Sequence, residues 1–484
     1  MSAIIPVRLS VVLERARRLW GTDQFDDQFV RTLGSDPIIT DITYDSRRVV
    51  PGSMFVCVRG ASSDGHRFAP TAVAAGAVVV VVDHQLPELS DTIQVVVDRT
   101  RPAMAYLSCS FFDDPSSSLT TVGITGTNGK TTTAHILQCA LVALGSPTGV
   151  IGTLSGAHTT PEAPDFQRAL AEFVRIGDRS AVAEVSSHAL ALERVVGTHF
   201  RVAVFTNLGH DHLDLHGTQE RYFAAKARLF EPDLAAEGVI NVDDVHGRLL
   251  IDAARIPMTP YSWTDVSDIR VNAFDHSFVW RDHVVRVGLG GRFNVMNSVA
   301  AATTLIALGY PAAAIANAMS AVTPVRGRFE PVDEGQDFVV VVDYAHTPDA
   351  LREVLGAARG VARSNQVIVV FGCGGDRDHD KRPLMGRAAA ESADRVVITS
   401  DNPRSEKPLS IINDISAGVP ADYRAVTVVE PDRLTAITLA LSMARTGDVV
   451  VIAGKGHEVT QITGSSVVPF DDASVARTVL AGMS

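Results

Sequence analysis

The stretch TVGITGTNGKTTT, Thr121–Thr133, decides the fold of this chain. An apolar run, Thr121 to Thr125, ends in Gly126. Lys130 and Thr131 then open a stretch, Thr132 to Leu144, whose composition reads as a helix. Glycine lets backbone wrap closely around phosphate, and the free N–H groups at a helix N-terminus favour negative charge. Gly126, Thr127, Asn128 and Gly129 therefore read as a phosphate cradle. Lys130 is placed to reach the terminal phosphates, the Thr131 hydroxyl to bind Mg²⁺, and Thr132 to close the loop. The loop is shorter than the eight-residue form, with Ile124 where that form has its first glycine. A plain strand-to-helix turn is the competing reading, and the Gly-Lys-Thr combination weighs against it.

The same pattern recurs along the chain. AVAEV runs into SSH, VAVFTNL into GHDHLD, FVVVV into DYAH, QVIVVF into GCGGDRD, RVVIT into SDNPR and VVVIA into GKGHE. Short β-branched runs alternating with Ala/Leu-rich segments predict an α/β fold with mainly parallel sheets. In such sheets ligands bind beyond the carboxyl ends of the strands. Loop polarity alone explains one or two such endings, but a full set points to a cleft.

Length and composition fit this picture. The 484 residues suggest about three domains. We place the breaks at 1–110, 111–326 and 327–484, with the Pro/Ser-rich FFDDPSSSL (111–119) as the first linker. The chain is acidic, −12 net, without a basic run, which argues against nucleic-acid partners. Cys57, Cys109, Cys139 and Cys373 form no CxxC pair, so neither a disulfide framework nor a zinc site is expected. The longest apolar run, Ala72 to Val82, is too short to span a bilayer, and the first ten residues do not read as a signal peptide. A cytoplasmic monomer without membrane insertion is the expectation.

Glu184 ends one apolar run, and His210, Asp211, His212 and Asp214 follow another. Mg²⁺ prefers oxygen ligands, so Glu184 pairs naturally with Thr131. A lone histidine is more often structural than a ligand. Lys226, within RYFAAKARLF, reads by itself as a solvated lysine on a helix.

TGTNGKTTT, EVSSHAL, TNLGHDHLD, YFAAKARLF, GRFNVMN, VRGRFE, DYAHTPDAL, FGCGGDRD, DNPR and GKGHE occur in an order that resembles the Mur ligase family over nearly the whole chain. The resemblance implies three domains: a UDP-precursor-binding unit, a central P-loop-type ATPase with a mostly parallel sheet, and a C-terminal Rossmann-like unit that binds the amino acid. It implies ATP as co-substrate, two Mg²⁺ ions, and a CO₂-derived carbamate on Lys226, which turns a cation into a metal ligand and reverses the solvated reading. It makes His212 the second metal ligand beside Thr131, Glu184 and Lys226, and gives catalytic roles to Lys130, Lys226, His212 and Arg328. Asn294 is then expected at the adenine, Asp343 at the ribose and Arg328 at the terminal phosphate, where its planar fork suits phosphate oxygens. Tyr44, Ser46, Ala61, Ser62 and Ser63 are expected around the uridine end of the precursor, and Thr159, Thr160, Ser186 and Arg194 near its peptide end. Leu192 departs from relatives that carry Gln there.

Asp401-Asn402-Pro403-Arg404 resembles the motif of family members that add meso-diaminopimelate. Arg404 and Arg377 can grip its distal carboxylate, while Glu458 and the Gly454 carbonyl can take its distal ammonium. Lysine has no distal carboxylate and would leave buried arginine unpaired. The expected reaction is amide-bond formation on the glutamate γ-carboxylate of a nucleotide-carried precursor through an acyl phosphate, in peptidoglycan synthesis. The alternatives are the same ligase adding L-lysine or another diamino acid, a folylpolyglutamate-type ligase, a nucleotide-binding regulator without turnover, and a simple kinase.

Overall fold

The structure is a computed structural model and describes residues 6–20, 35–60, 63–156, 158–209, 211 and 213–483, apart from the side chains of 213 and 214. Ala61, Ser62, His210 and His212 lie outside the described residues.

Three mainly parallel sheets follow one another along the chain. The first has the order Asp41–Thr43, Ser53–Val56, Val79–Val82, Ile93–Val96, with every pair parallel. Val79–Val82 is a fully buried valine run, as a parallel strand covered on both faces requires. Helices Leu9–Trp20 and Thr100–Phe111 pack together on one face. The FFDDPSSSL segment is an ordered connection rather than a loose linker. Thr100–Phe111 carries the helix to its first residue, Asp113 and Asp114 turn the chain with positive φ, and Pro115 and Ser116 are buried.

The central sheet has the order Met258–Tyr261, Gly238–Asn241, Val202–Phe205, Thr120–Thr125, Ser180–Glu184, Thr148–Ile151, again all parallel. Helix Lys130–Ala143 starts where the loop ends and packs with helix Phe293–Ala307 over one face. An antiparallel meander, Val266–Val271, His276–Trp280 and His283–Val287, closes that core. Its lone alternating strands were not separable from the βα pattern in sequence.

The third sheet has the order Glu330–Val332, Val339–Asp343, Val449–Ala453, Val367–Phe371, Arg395–Ile398, Thr427–Val429. Only its Glu330–Val332 edge is antiparallel. The seven apolar runs read as ending in chemical motifs are thus strands of the second or third sheet, with each motif following the carboxyl end of its strand. Among the described residues no helix is long and apolar enough to cross a membrane.

Candidate active site

The phosphate loop owes its shape to its neighbour strand. Gly126 has φ 149°, and a Cβ there would lie 1.8 Å from Thr206 Oγ1, so only glycine fits. Thr206 Oγ1 donates to the Asn128 carbonyl at 2.6 Å, and the Asn128 N–H donates to Asn207 Oδ1 at 2.9 Å. The Thr127 hydroxyl meets Tyr222 OH at 3.0 Å. Asn207 and Tyr222 are shaping residues that the sequence reading passed over. Asn207 lies in TNLGHDHLD and Tyr222 in YFAAKARLF, so membership of those motifs is the sequence signal that marks them.

Lys130 Nζ donates to the carbonyls of Gly126 and Thr127 at 2.7 and 2.9 Å. Lys226 Nζ donates to Gly126 O at 2.8 Å and is 1% exposed, so the solvated reading of that lysine fails. Helix Gln219–Ala227 turns its inner face, with Tyr222 and Lys226, onto the loop. Burial first, and then the Lys130 charge, push the Lys226 amine well below its ordinary value. Burial likewise lowers Lys130.

Glu184 is 1% exposed at the end of its strand. Its carboxylate accepts from Thr131 Oγ1 at 2.9 Å, Thr153 N at 2.8 Å and Thr153 Oγ1 at 3.1 Å. This all-oxygen set beside the phosphate loop fits a hard cation such as Mg²⁺. Thr153 is an addition that no sequence signal marked.

A cavity of about 220 Å³ is lined by Thr127 to Thr132, Glu184, Asp211, Arg328, Asp343 and Tyr344. Arg328 reaches across from the third unit, donating to Thr131 Oγ1 at 3.2 Å with its guanidinium 4.5 Å from the Tyr344 ring centroid. Asp343 accepts the N–H groups of Phe329 and Ala345, both at 2.7 Å, and burial raises its carboxyl above the usual range. Asn294 does not line the cavity. Its amide donates to Gly290 O at 2.7 Å and accepts from Asn297, and Asn297 is the residue on the wall.

A second cavity of about 550 Å³ adjoins the first, sharing Thr159, Asp211, Tyr344 and His346. Its central-domain wall carries Thr160, Ser186 and Arg194. The opposite wall carries Arg377, Asp401, Asn402, Arg404, Gly454 and Glu458. Pro403 is buried behind this wall. Thr160 Oγ1 donates to the Glu184 carbonyl at 2.8 Å, and Arg194 donates to Thr160 O at 2.9 Å. Asn402 donates to Glu458 at 2.6 Å, and burial, then Asp401, raise the Glu458 carboxyl. Burial and the adjacent Lys381 hold His346 neutral, lowered to about 4. Lys381 and His346 are further lining residues the sequence reading did not select.

Tyr44, Ser46 and Ser63 line neither cavity. Tyr44 is part-buried in the first unit, where burial and then Asp165 and Glu162 of the central unit raise its phenol. The two units are tied there by Arg48 to Asp165 (2.7 and 2.9 Å) and Arg168 to Asp41 (2.7 Å). Leu192 is part-buried, and its carbonyl accepts from Arg101 at 3.5 Å.

Three neighbouring sheets, a Gly-Lys-Thr loop and an oxygen-lined cation niche define the class, and family models agree. The Mur ligase family, catalytic domain matches residues 38–111, the Mur ligase middle domain 124–305, and the Mur ligase, glutamate ligase domain 327–456. The chain belongs to the Mur ligase family.

Within it, the chain is 46% identical to the UDP-N-acetylmuramoyl-L-alanyl-D-glutamate–2,6-diaminopimelate ligase of Solibacter usitatus, covering 92% of this chain and 94% of that one. It is 45% identical to the enzyme of the same name from Geobacillus kaustophilus, covering 92% and 95%. A solved structure carrying that name superposes with a TM-score of 0.64 at 33% identity, covering 92% and 95%. The MurF ligase of Thermotoga maritima, solved with ADP, shares the fold with a TM-score of 0.63 at 20% identity, covering 92% and 96%.

Proposed function

We propose that this chain is an ATP-dependent ligase that joins meso-diaminopimelate to the D-glutamate γ-carboxylate of UDP-N-acetylmuramoyl-L-alanyl-D-glutamate, a step of peptidoglycan synthesis. The observation that carries this reading is the shared wall. Thr159, Asp211, Tyr344 and His346 belong to both cavities, so a triphosphate on the loop and an amino acid between Arg404 and Glu458 meet at one place.

The loop N–H groups and Lys130 hold the phosphates, and Arg328 spreads charge as the γ-phosphoryl leaves. A precursor carboxylate oxygen, presented along Thr159, Thr160, Ser186 and Arg194, attacks that phosphorus. ADP leaves and an acyl phosphate forms. The α-amine then attacks the acyl carbon, the carbon–oxygen bond to phosphate breaks, and the amide remains. Activation is required because a carboxylate is a poor electrophile, and much of the remaining rate comes from positioning two charged partners. Thr131 and Glu184 would hold Mg²⁺, with His212 and a carbamate on Lys226 as the ligands for a second ion. The metal supplies charge neutralisation at the phosphates. Lys226 suits carbamylation because a buried, neutral amine is the form that attacks CO₂.

Distal groups select the amino acid. Arg404 and Arg377 face the distal carboxylate, and Glu458 with Gly454 O faces the distal ammonium. Asp343 serves the nucleoside end of ATP, with Asn294 acting there through the Asn297 amide that it holds on the wall, and Tyr44, Ser46 and residues 61–63 serve the uridine. All these residues belong to one chain, which supports a monomer, and ATP dependence supports a cytoplasmic setting. The test is a panel of amino acids offered with precursor and ATP, read by product mass. Mass gain with meso-diaminopimelate and none with lysine or glutamate is expected. Gain with lysine alone, or ADP without amide, would overturn the reading.

A further inference from the structure

The two arginines of the amino-acid wall sit on different loops. Arg377 follows the strand Val367–Phe371, and Arg404 follows Arg395–Ile398. A selective grip needs a fixed distance between them, yet neither loop is regular structure.

What joins the loops is a pair behind the wall. Arg382, in the first turn of helix Lys381–Ser392, is fully buried. Its NH1 donates to Glu406 Oε2 at 3.0 Å and to Asp414 Oδ2 at 2.9 Å, and its NH2 donates to Glu406 Oε1 at 2.8 Å. NH2 also reaches Gly374 O at 3.4 Å. Glu406 Oε1 in turn accepts the Asp376 N–H at 2.6 Å, one residue before Arg377. The Asp376 carboxylate accepts the Ser405 hydroxyl at 2.5 Å and its N–H at 3.2 Å, one residue after Arg404. Gly375 N donates to Asn402 O at 2.9 Å, Arg404 NH1 donates to Gly375 O at 2.6 Å, and a Cβ on Gly375 would lie 1.9 Å from Pro403 O.

Backbone conformation shows that the arrangement is held under constraint. Asp376 has φ 53° and Arg404 φ 52°, both in the region L side chains rarely adopt, and such residues persist only where their surroundings over-determine them. Arg404 is also clamped through its backbone. Its N–H donates to Ile462 O at 3.0 Å, and its carbonyl accepts from Gly464 N at 2.6 Å, both on the Thr460–Thr463 hairpin side.

We propose that Glu406 and Arg382 are positioning residues that set the separation of Arg377 and Arg404, and thereby select amino acids bearing a distal carboxylate. The pair touches no substrate. It acts by stitching the two loops, so that both guanidinium groups face the cavity at a spacing suited to one carboxylate. This rests on the ligase reading above and extends it from the gripping residues to what spaces them. Besides the direct bonds of Asp376 with Ser405 and of Gly375 with Asn402 and Arg404, the Glu406 bridge between Arg382 and Asp376 N ties both loops to the buried helix start.

The test is steady-state kinetics of Glu406→Gln, Glu406→Asp and Arg382→Lys on the full chain, with ATP, precursor and meso-diaminopimelate each varied. Gln keeps an acceptor for the Asp376 N–H but loses the paired charge. Asp keeps the charge and shortens the reach. Displacing a gripping group by an ångström costs up to about 100-fold. The expected result is a rise of about 10- to 100-fold in the KM for diaminopimelate. KM values for ATP and precursor and the kcat at saturation should stay within about twofold, and the preference over lysine should narrow. Circular dichroism melts identify variants that simply unfold, and Glu406→Gln is the mildest of the three. A diaminopimelate KM unchanged in a folded variant, or all three KM values and kcat moving together, overturns the proposal. Wild-type protein that makes no amide from diaminopimelate instead overturns the ligase reading itself, so the two failures are distinguishable.

Discussion

Lys130 and Lys226 converge on a single acceptor, the carbonyl oxygen of Gly126, at 2.7 and 2.8 Å. Two amines this close cannot both carry full charge cheaply, and the more buried one, Lys226, yields its proton more readily.

That asymmetry predicts where CO₂ adds. Labelled bicarbonate should give a carbamate carbon resonance in the wild-type protein that is lost in Lys226→Ala and kept in Lys130→Ala. Both variants should lose activity. Removing one preorganised charge-stabilising group costs about 10²- to 10³-fold in kcat. A resonance that survives in Lys226→Ala would assign the carbamate elsewhere.

Arg404→Ala should raise the KM for diaminopimelate and spare ATP binding. Hydrogen bonds to charged groups contribute about 1.5–3 kcal/mol, a loss of about 10- to 100-fold in affinity. ATP titration of the same variant serves as the control. Unchanged steady-state constants would remove Arg404 from the amino-acid site.

His276 is 1% exposed, with Nδ1 at 2.6 Å from Leu289 O and Nε2 at 2.9 Å from Ser298 Oγ, and burial lowers it to about 4. In the unfolded chain an imidazole titrates near about 6.5. Between these values the unfolded chain holds a proton that the fold refuses. The contribution is therefore complete above about pH 6.5 and lost as pH falls toward 4. Melting temperatures measured at about pH 7 and 5 should drop further for wild type than for His276→Gln. Parallel drops would show that another group governs the slope.

Arg433 and Asp472 form a fully buried pair, joined at 2.8 and 2.6 Å, and Arg433 also donates to Ala453 O and Ser400 O at the strand ends beside the amino-acid wall. Asp472→Ala leaves that guanidinium unpaired in the core. The expected cost is about 3–5 kcal/mol in denaturant unfolding, as for other broken buried pairs. A loss under about 1 kcal/mol would mean that Arg433 finds another partner or solvent.

Local sequence determined much of this protein. Valine-rich runs such as 79–82, 339–342 and 449–451 favour strands buried on both faces, and Gly126 to Thr131 reads as a phosphate loop, because these constraints act within a few residues. The order of the motifs brought the family and its residues into view. Tertiary structure decided what depends on distance between segments. It buried Lys226 against Gly126, a hundred positions earlier, and turned Asn294 away from the wall in favour of Asn297. It set Thr153 on Glu184 and bound Arg382 to Glu406 behind two arginines. Propensity and spacing report on a chain's own turn or strand. Burial, pKa and the gap between two loops are fixed only when separate sheets pack together, so no single stretch of the sequence contains them.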